Sequence, residues 1–420
     1  MIKKKNKKLI VGLEIGSTKI VVLVGELLIN NVINIVGIGQ CPATGIDQGN
    51  IKNLESVILC IKTAIYEAET MAECNISNVY LSLSNKYFKC KNEIGIVPIN
   101  NNEVTKIDVD RAIHTARSIK LKNDYSILHI IPQEYLIDQE TGIKNPIGLS
   151  GFRMAAKVHL ITYKKKIKKN LIKAVKKCNL KVKNIIFSGI ASSTAILTAE
   201  EKQSGVCMVD IGGCNITIII YINGYIHHTQ VIPYAGNTVT NDIAYALNTT
   251  FQNAEIIKKK YGSTISSSLS TTKIIEISNN YGINSKNIQK NILKKIIEAR
   301  YEELFNIINN IINNIQNKLY ENKQKYMLDS GIVLTGGGSK TKSLKIFAKK
   351  IFNMPVRIGY PKNITTYNDQ ILKPQYSGAI GLIQYGSKLY HHKNQNSKKK
   401  SLKKWLCNFQ RWIQRILYNQ

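Results

Sequence analysis

Three glycine-rich turns in the sequence have the composition of phosphate-binding loops. Each directly follows a short apolar run: Gly16-Ser17-Thr18-Lys19, Gly212-Gly213 and Gly336-Gly337-Gly338. Glycine lets backbone N–H groups approach phosphate oxygens because no Cβ intervenes, and the first turn adds two hydroxyls and an ammonium. The third turn is suited to lie along a base or ribose, where side chains would clash. One such turn is typical of a plain hairpin, but three in this order predict a nucleotide site.

A carboxylate precedes each of the first two turns. The segments Val11-Gly12-Leu13-Glu14-Ile15-Gly16 and Met208-Val209-Asp210-Ile211-Gly212-Gly213 share the order strand, carboxylate, glycine turn, and a second apolar run follows each. This repetition indicates an internal duplication, in which two facing hairpins hold one ligand between them. Asp210 is suited to hold Mg²⁺ through water, because magnesium keeps most of its water shell in proteins.

The elements that must position these turns alternate strands with helices, which predicts an α/β fold. Residues 9–85 have the order β-β-β-α-β, with helical apolar spacing from Asn53 to Met71. Residues 86–162 form a separate small α/β block. Further elements are a helix at 164–178, a hairpin at 206–222, a long helix at 294–320 and a strand at 331–335.

The composition is that of a globular chain in a reducing compartment. Of its 420 residues 44% are apolar, and its eight cysteines are scattered without metal-ligand spacing. The basic start, Met1 to Lys8, precedes an apolar run that stops at Glu14 with no cleavage site. No apolar stretch approaches the ~20 residues of a spanning helix. We therefore expect a protein that is neither secreted nor membrane-spanning.

The formal net charge of +32 indicates either an anionic partner or a compositional bias. Lysine and asparagine are abundant in every segment, as A/T-rich codons would produce, so the charge alone does not decide between the two. No basic motif interleaved with aromatic residues occurs, and we expect no specific nucleic-acid binding.

The C-terminus carries an amphipathic stripe after a polar, lysine-rich segment, 387–401, that predicts a flexible linker. At 100° per residue, eight apolar side chains fall within about 140° of arc. They are Leu402, Trp405, Leu406, Phe409, Trp412, Ile413, Ile416 and Leu417. Aromatic rings opposite a cationic face are suited to an anionic membrane surface. The alternatives are a terminal helix on the chain's own core and a helix that binds a partner protein.

The three turns and their flanks resemble the two phosphate loops and the adenosine loop of the actin-like ATPase superfamily. Four further stretches are similar to the FtsA family of bacterial cell-division proteins: Leu149-Ser150-Gly151, Val231-Ile232-Pro233-Tyr234-Ala235-Gly236-Asn237, Asp242-Ile243-Ala244-Tyr245 and Tyr376-Ser377-Gly378-Ala379-Ile380-Gly381-Leu382. The resemblance implies a two-lobed actin-like fold, a ribonuclease H-like duplication, with ATP and Mg²⁺ as ligands. It also implies peripheral attachment to the cytoplasmic face of the inner membrane.

The family pattern implies a division of the chain into subdomains. These are a first lobe (8–84, 163–193 and 360–386), an insertion (85–162), a second-lobe core (194–235 and 301–359), an outer part of that lobe (236–300), a linker (387–401) and a membrane-targeting helix (402–420).

The same resemblance assigns partners. It places Glu255 and Lys258 on a helix beside the ribose and adenine. It implies that Lys286, Lys290 and Arg300 receive the acidic C-terminal tail of the tubulin-like division protein FtsZ. The chain would polymerise with itself, bind other division proteins through its insertion, and anchor FtsZ filaments to the membrane.

The second phosphate loop departs from the family pattern. The family favours a third glycine, a threonine and a later aspartate, where this chain has Cys214, Asn215 and Thr217. At positive φ, Cys214 would be strained by roughly 1 kcal/mol or more. Loss of the later carboxylate removes a contact to magnesium or water, so we expect ATP binding with at most weak ATPase activity. Glu14, where many relatives have aspartate, keeps the charge.

Enzymes of the same fold are the alternative, either an actin-fold ATPase or a small-molecule kinase with no role in division. A kinase needs a catalytic base and a shaped substrate pocket between the lobes, and the sequence shows no motif for either. A chaperone ATPase is disfavoured, because too short a segment follows the last nucleotide-lobe motif to form a peptide-binding domain.

Overall fold

The computed structural model describes residues 8–28, 32–265, 274–278, 285–321 and 328–391. The predicted membrane helix, 402–420, and linker residues 392–401 lie outside the described residues. Within the described part the chain forms two lobes, each built on its own β-sheet, and an inserted α/β subdomain.

The first lobe begins with the predicted β-β-β-α-β order, interrupted by one short strand pair. Its elements are β1 (Leu9–Ile15), β2 (Lys19–Leu27), β3 (Ile33–Pro42), β4 (Ile46–Asp47), β5 (Asn50–Ile51), α1 (Leu54–Ala72) and β6 (Asn78–Leu83). The α1 helix begins at Leu54 because the side chain of Asn53 accepts hydrogen bonds from the N–H groups of Glu55 and Ser56.

At Gly37 and Gly39, strand β3 packs directly on the backbone of α1. A Cβ on Gly39 would lie 1.8 Å from the carbonyl oxygen of Ala64, and one on Gly37 would lie 2.7 Å from that of Ala68. Only glycine permits this approach. The contact holds β3 against α1. Because β2 is the neighbour of β3, the contact also positions the first glycine turn.

The insertion is a four-stranded antiparallel sheet covered by one helix. Its elements are β7 (Lys89–Pro98), α2 (Lys106–Arg117), β8 (Tyr125–Ile137), β9 (Glu140–Ile143) and β10 (Arg153–Lys164), in the sheet order β7-β10-β8-β9. The strands are longer than predicted, because β8 continues past its apolar run through the adjacent polar residues Gln133 and Glu134.

The chain then returns to the first lobe and crosses to the second. It forms α3 (Lys165–Lys176), β11 (Lys181–Phe187), α4 (Ser188–Ile196) and α5 (Ala199–Ser204). Strand β11 pairs with β6 in parallel. The α4 helix is buried along nearly its whole length, so it belongs to the junction between the lobes.

The second lobe repeats the opening hairpin and adds helices. Its elements are β12 (Val206–Ile211), β13 (Ile216–Ile222), β14 (Tyr225–Ile232), α6 (Gly236–Leu247), α7 (Phe251–Tyr261), β15 (Ile274–Ser278), β16 (Ser285–Gln289), α8 (Lys290–Glu321), β17 (Ile332–Thr335), α9 (Leu344–Phe352) and β18 (Val356–Ile358). Five of these strands form a sheet in the order β14-β13-β12-β17-β18.

The described chain ends in the first lobe. Strand β19 (Ile364–Thr366) completes a sheet in the order β11-β6-β1-β2-β3-β19, and helix α10 spans residues 377–391. The predicted linker therefore starts too early: residues 387–391 are helical, and Ser387 is buried. The sequence did not reveal this, because the helix end has a polar composition.

Helices α4 and α10 lie between the two sheets and share one hydrophobic core with both. That core joins Val21 of β2, Ala191 of α4, Ile219 of β13 and Ile383 of α10. Burial of such side chains stabilises the fold by about 1.5–3 kcal/mol each. The common core holds the two opening hairpins in a fixed mutual position.

The contact between β3 and α1 yields a stability prediction. Substituting Gly39→Ala should lower the free energy of unfolding by about 1–3 kcal/mol, because the new methyl group must displace the α1 backbone. Gly337→Ala is the matched control, since a Cβ there has nothing within 4 Å. Urea unfolding of both variants checks this, and equal midpoints would contradict the packing described.

Candidate nucleotide-binding cleft

A cleft of about 570 Å³ opens between the lobes and is lined by all three glycine turns. The structure brings together every residue that the sequence analysis assigned to nucleotide binding: Gly16, Ser17, Thr18, Lys19, Asp210, Gly212, Gly213, Asn215, Glu255, Lys258, Gly336, Gly337 and Gly338. Residues far apart in sequence thus converge on one concave surface, the usual form of a ligand site.

The two hairpin turns have the same backbone geometry. In β1–β2, Ile15 pairs with Ile20 across a four-residue turn, and the N–H of Gly16 donates to the carbonyl of Lys19 at 3.0 Å. In β12–β13, Ile211 pairs with Ile216, and Gly212 donates to Asn215 at 3.0 Å. The duplication inferred from sequence is therefore confirmed at the level of hydrogen bonds.

The turns face one another across the cleft and nearly touch. A Cβ on Gly213 would lie 2.2 Å from Cγ2 of Thr18, so a side chain there would push the two turns apart. Helix α6 fixes the second turn, because the N–H groups of Gly236 and Asn237 donate to the carbonyls of Gly212 and Gly213. The approach of the turns therefore depends on glycine at position 213.

Glu14 belongs to β1 and lies at the floor of the cleft, beside the start of α10. Its carboxylate accepts a hydrogen bond from the N–H of Ala379, and a Cβ on Gly378 would lie 2.3 Å from its Oε1. The other oxygen, Oε2, is buried without a hydrogen-bond partner among the described residues. Burial, reinforced by the nearby charge of Asp210, raises the pKa of Glu14 to about 7.

Asp210 is the counterpart of Glu14 in the second hairpin. Its Oδ2 accepts a hydrogen bond from Oγ of Ser192 at 2.6 Å, so α4 orients it. The turn after β17 crosses close above it: Gly336 has φ +83°, and a Cβ there would lie 2.3 Å from Asp210 Oδ1. Burial raises the pKa of Asp210, while the bond from Ser192 and the charge of Lys19 oppose this.

Lys19 supplies a buried cation to the same space. Its Nζ lies 3.8 Å from the centre of the Tyr376 ring and makes no hydrogen bond to any described residue. Burial lowers its pKa to about 8, although Glu14 acts in the opposite direction. An ammonium stacked on an aromatic face with unused N–H groups is poised for an anionic ligand.

Glu255 and Lys258 lie on α7 and form one polar network with the start of α6. Lys258 Nζ is 2.6 Å from Glu255 Oε2 and donates to the carbonyl of Gly236 at 2.9 Å. Oγ1 of Thr240 donates to the same Glu255 oxygen at 2.5 Å. Both side chains therefore reach the cleft wall with their positions fixed before any ligand arrives.

The second turn tolerates the three residues that depart from the family pattern. Cys214 is not among the residues with positive φ, so the backbone strain expected there does not arise. Its sulfur accepts a hydrogen bond from Nδ2 of Asn237 at 3.4 Å. Asn215 leaves its Oδ1 buried and without a partner among the described residues, and Thr217 lies 3.4 Å from Oγ of Ser84 across the lobes.

Among the three basic residues assigned to the FtsZ tail, Arg300 is already paired with acidic side chains. Arg300 pairs with Asp242 through two nitrogens, at 2.5 and 2.9 Å, and also with Glu303. It therefore ties α8 to α6. Lys290 is the first residue of α8, and the side chain of Lys286 lies outside the described residues.

Several cleft residues were not assigned a role from sequence. Gln40, Ser192, Tyr376 and Gly378 line or orient the site, and Glu14, which the sequence indicates only as the carboxylate of the first repeat, lines it as well. The internal duplication was the usable signal for Glu14, because it occupies the position of Asp210 in the other hairpin. The rest come from distant segments and needed the fold.

The residues present fit a hydrated divalent cation. Glu14 offers an unpartnered carboxylate oxygen, and burial disfavours the charged forms of both Glu14 and Asp210. No group of three or more ligating side chains occurs in the described part of the chain. Mg²⁺ binds in this way, through one or two carboxylates, its own water and substrate phosphates.

Comparison with solved structures shows which fold this is. A chain from the PilM–PilN type IV pilus biogenesis complex aligns with a TM-score of 0.65 at 15% identity, over 91% of this chain and 99% of that one. MreB5 of Spiroplasma citri bound to AMPPNP aligns with a TM-score of 0.53 at 13% identity, over 94% and 100%. The fold is therefore actin-like, with an inserted subdomain.

Comparison of sequences then identifies the family. The family model described as cell division protein FtsA matches residues 207–381, and the SHS2 domain inserted in FtsA matches residues 85–162. FtsA of Buchnera aphidicola from Schizaphis graminum is 53% identical over 99% of this chain and its own full length. FtsA of Escherichia coli K12 is 46% identical over 99% and 100%. The chain belongs to the FtsA family of cell division proteins.

Among the helices in the described residues, none has both the length and the apolar composition required to cross a membrane.

The raised pKa of Glu14 predicts a dependence of stability on pH. The folded chain keeps the Glu14 proton up to about pH 7, whereas an unfolded chain releases it near 4.5, so this carboxyl destabilises the fold as the pH rises between these values. Glu14→Gln should therefore exceed the parent chain in unfolding free energy by about 1–3 kcal/mol at pH 8 and by little at pH 5.

Denaturant unfolding of the parent chain and of Glu14→Gln at both pH values measures the two unfolding free energies. Subtracting the parent value from the variant value at each pH removes the contribution of other titrating groups. Glu14→Asp is the matched control, because it retains a buried carboxylate in place of an amide. A constant difference between parent and Glu14→Gln at the two pH values would contradict the assignment.

Proposed function

We propose that this chain is a cell-division protein that binds ATP with Mg²⁺ in the cleft and anchors FtsZ filaments to the cytoplasmic membrane. The observation that carries the nucleotide proposal is the pair of matching glycine turns that nearly touch across one cleft. The buried, unpartnered Lys19 Nζ beside them supports it. So do solved MreB5 structures of the same fold, which contain ADP or AMPPNP.

In this proposal the chain's own groups divide the nucleotide between the two lobes. The N–H groups and hydroxyls of Gly16–Lys19 face the phosphates from the first lobe, with Lys19 as counter-charge, and Gly212–Asn215 face them from the second. Gly336–Gly338 lie along the base or ribose, next to Glu255 and Lys258. Mg²⁺ would neutralise phosphate charge near Glu14 and Asp210.

We propose that the nucleotide acts as a conformational ligand and that its hydrolysis is at most weak. Thr217 occupies the place of the later carboxylate of the family, so the second turn offers one acidic group fewer to polarise water. A ligand that contacts both lobes favours the closed arrangement by its differential affinity for it. Closure would then alter contacts between copies of the chain in a filament.

Nucleotide binding is tested by a matched pair of variants. Gly213→Ala places a methyl group 2.2 Å from Thr18 Cγ2 and should weaken ATP binding at least tenfold, which corresponds to about 1.4 kcal/mol. Adding Thr18→Ser removes that Cγ2 and should restore most of the affinity. Calorimetric titration with ATP, with and without Mg²⁺, measures the affinity of both variants. A phosphate-release assay then measures hydrolysis.

An unchanged affinity in Gly213→Ala, or no ATP binding by the parent chain, would overturn the assignment. The small-molecule kinase alternative predicts phosphate transfer to an acceptor such as a sugar, which an assay for ADP detects as ADP formed without an equal release of inorganic phosphate. Rapid transfer would favour that alternative over an adaptor that uses ATP as a switch.

The membrane proposal rests on a segment outside the described residues, the FtsZ proposal rests on Lys286, Lys290 and Arg300, and both rest on family membership. The stripe at 402–417 combines two tryptophans with lysines and arginines, and each cation near an anionic leaflet contributes about 1 kcal/mol. Lys286, Lys290 and Arg300 would receive the acidic tail of FtsZ, with Arg300 exchanging Asp242 or Glu303 for it. Residues 85–162 would bind other division proteins.

Co-sedimentation with vesicles tests the anchor. Vesicles that contain phosphatidylglycerol should pellet the full chain, and should pellet FtsZ only when the chain is present. Deleting 402–420 or substituting Trp412→Glu should abolish both, whereas Trp412→Phe should keep both. Lys290→Glu should release FtsZ but leave the chain on the vesicles. Unchanged pelleting by the deletion and by Trp412→Glu would refute attachment through residues 402–420.

A further inference from the structure

Two cysteines face one another directly behind the first glycine turn. The tight packing of β3 on α1 follows a regular series, with Gly37 against Ala68 and Gly39 against Ala64. Two residues along a strand advance about as far as four residues along a helix, so the next pair in this series is Cys41 and Cys60. The small residues before them hold the two backbones close together.

The sulfur atoms share their surroundings. The thiols of Cys41 and Cys60 donate to the same carbonyl oxygen, that of Pro42, with sulfur–oxygen distances of 3.4 and 3.3 Å. A disulfide requires Cα atoms about 4.4–6.8 Å apart. The bare backbones of Gly37 and Gly39 bring β3 close to α1 in the stretch that leads up to Cys41.

We propose that Cys41 and Cys60 form a reversible disulfide when the chain meets hydrogen peroxide, and that this bond weakens the hold of the cleft on nucleotide. The second half of the proposal rests on the proposed function, and the first half does not. Cys60 is 4% exposed, so a water-sized oxidant is the kind that reaches it.

The two thiols are chemically unequal. Burial tends to raise the pKa of Cys60, but hydrogen bonds from Thr44, whose Oγ1 lies 3.2 Å from the sulfur, and from Cys41 outweigh it and lower that pKa. Burial and the neighbouring Cys60 raise the pKa of Cys41 to about 11. The thiolate therefore forms at Cys60, which makes it the attacking sulfur.

The oxidation balances in two steps. The Cys60 thiolate attacks one peroxide oxygen, the O–O bond breaks, and the departing hydroxide takes up a proton to become water. The Cys41 sulfur then attacks the Cys60 sulfenic acid, the S–O bond breaks, and the hydroxyl leaves as water with the Cys41 proton. Two thiols lose two electrons and two protons, and one peroxide becomes two waters. A dithiol reductant reverses the result.

The disulfide would act on the cleft through the end of β3. Cys41 pairs with Ile20 and Pro42 with Lys19, and the N–H of Ala43 donates to the carbonyl of Thr18 at 3.0 Å. A bond that pulls Cys41 toward α1 therefore also displaces the backbone of the first glycine turn. The turn moves away from the opposite hairpin, and its contacts to phosphate weaken.

Peptide mapping of the full chain by mass spectrometry after graded peroxide tests the disulfide. We expect a linked Cys41–Cys60 peptide that dithiothreitol reverses, while Cys207, fully buried and with its pKa raised by burial, stays reduced. In Cys41→Ser, dimedone should trap a sulfenic acid at Cys60; in Cys60→Ser, Cys41 should remain a thiol. Oxidation of Cys60 without a linked peptide, or dimedone labelling of Cys41 in Cys60→Ser, would overturn the proposal.

Titration of ATP against the reduced and linked forms tests the coupling. The linked form should bind at least about fivefold more weakly, and Cys41→Ser should lose this response to peroxide. Equal affinities of the two forms would overturn the coupling. A reduced chain that binds no ATP would overturn the proposed function and the coupling together, whereas the linked peptide still reports the disulfide independently.

Discussion

The near contact between the two glycine turns is the constraint on which the site depends. Thr18 of one hairpin meets the bare backbone of Gly213 in the other, so the distance between the lobes is set where a triphosphate would lie. Helices α4 and α10 hold both sheets in one core, and α6 fixes the second turn by two backbone hydrogen bonds. The packing of both sheets in one core thus holds the two glycine turns close together.

The buried ionisable groups of the cleft carry a free-energy cost that a bound ligand can reduce. Glu14, Asp210 and Lys19 are buried near one another, yet Glu14 Oε2 and Lys19 Nζ have no hydrogen-bond partner among the described residues. Buried polar groups without partners destabilise a fold. In the proposed function, a nucleotide with its cation would supply opposite charge to both signs at once, and its binding would favour closure of the lobes.

The sequence predicted this site through its internal repetition rather than through its composition. Strand, carboxylate and glycine turn recur at Glu14 and Asp210, and the hairpin register repeats in the structure. Local patterns also located α1 and α8. The polar helix end at 387–391 and the pairing of Arg300 with Asp242 were not predictable, because they depend on tertiary neighbours rather than on apolar spacing. The partners of Lys19 and Asp210 were hidden for the same reason.

Hydrogen exchange of the backbone amides shows whether both turns contact the same nucleotide. ATP with Mg²⁺ should slow exchange at Gly16–Lys19 and at Gly212–Asn215 together, with the same dependence on nucleotide concentration. Protection confined to one turn, or to neither, would contradict the account.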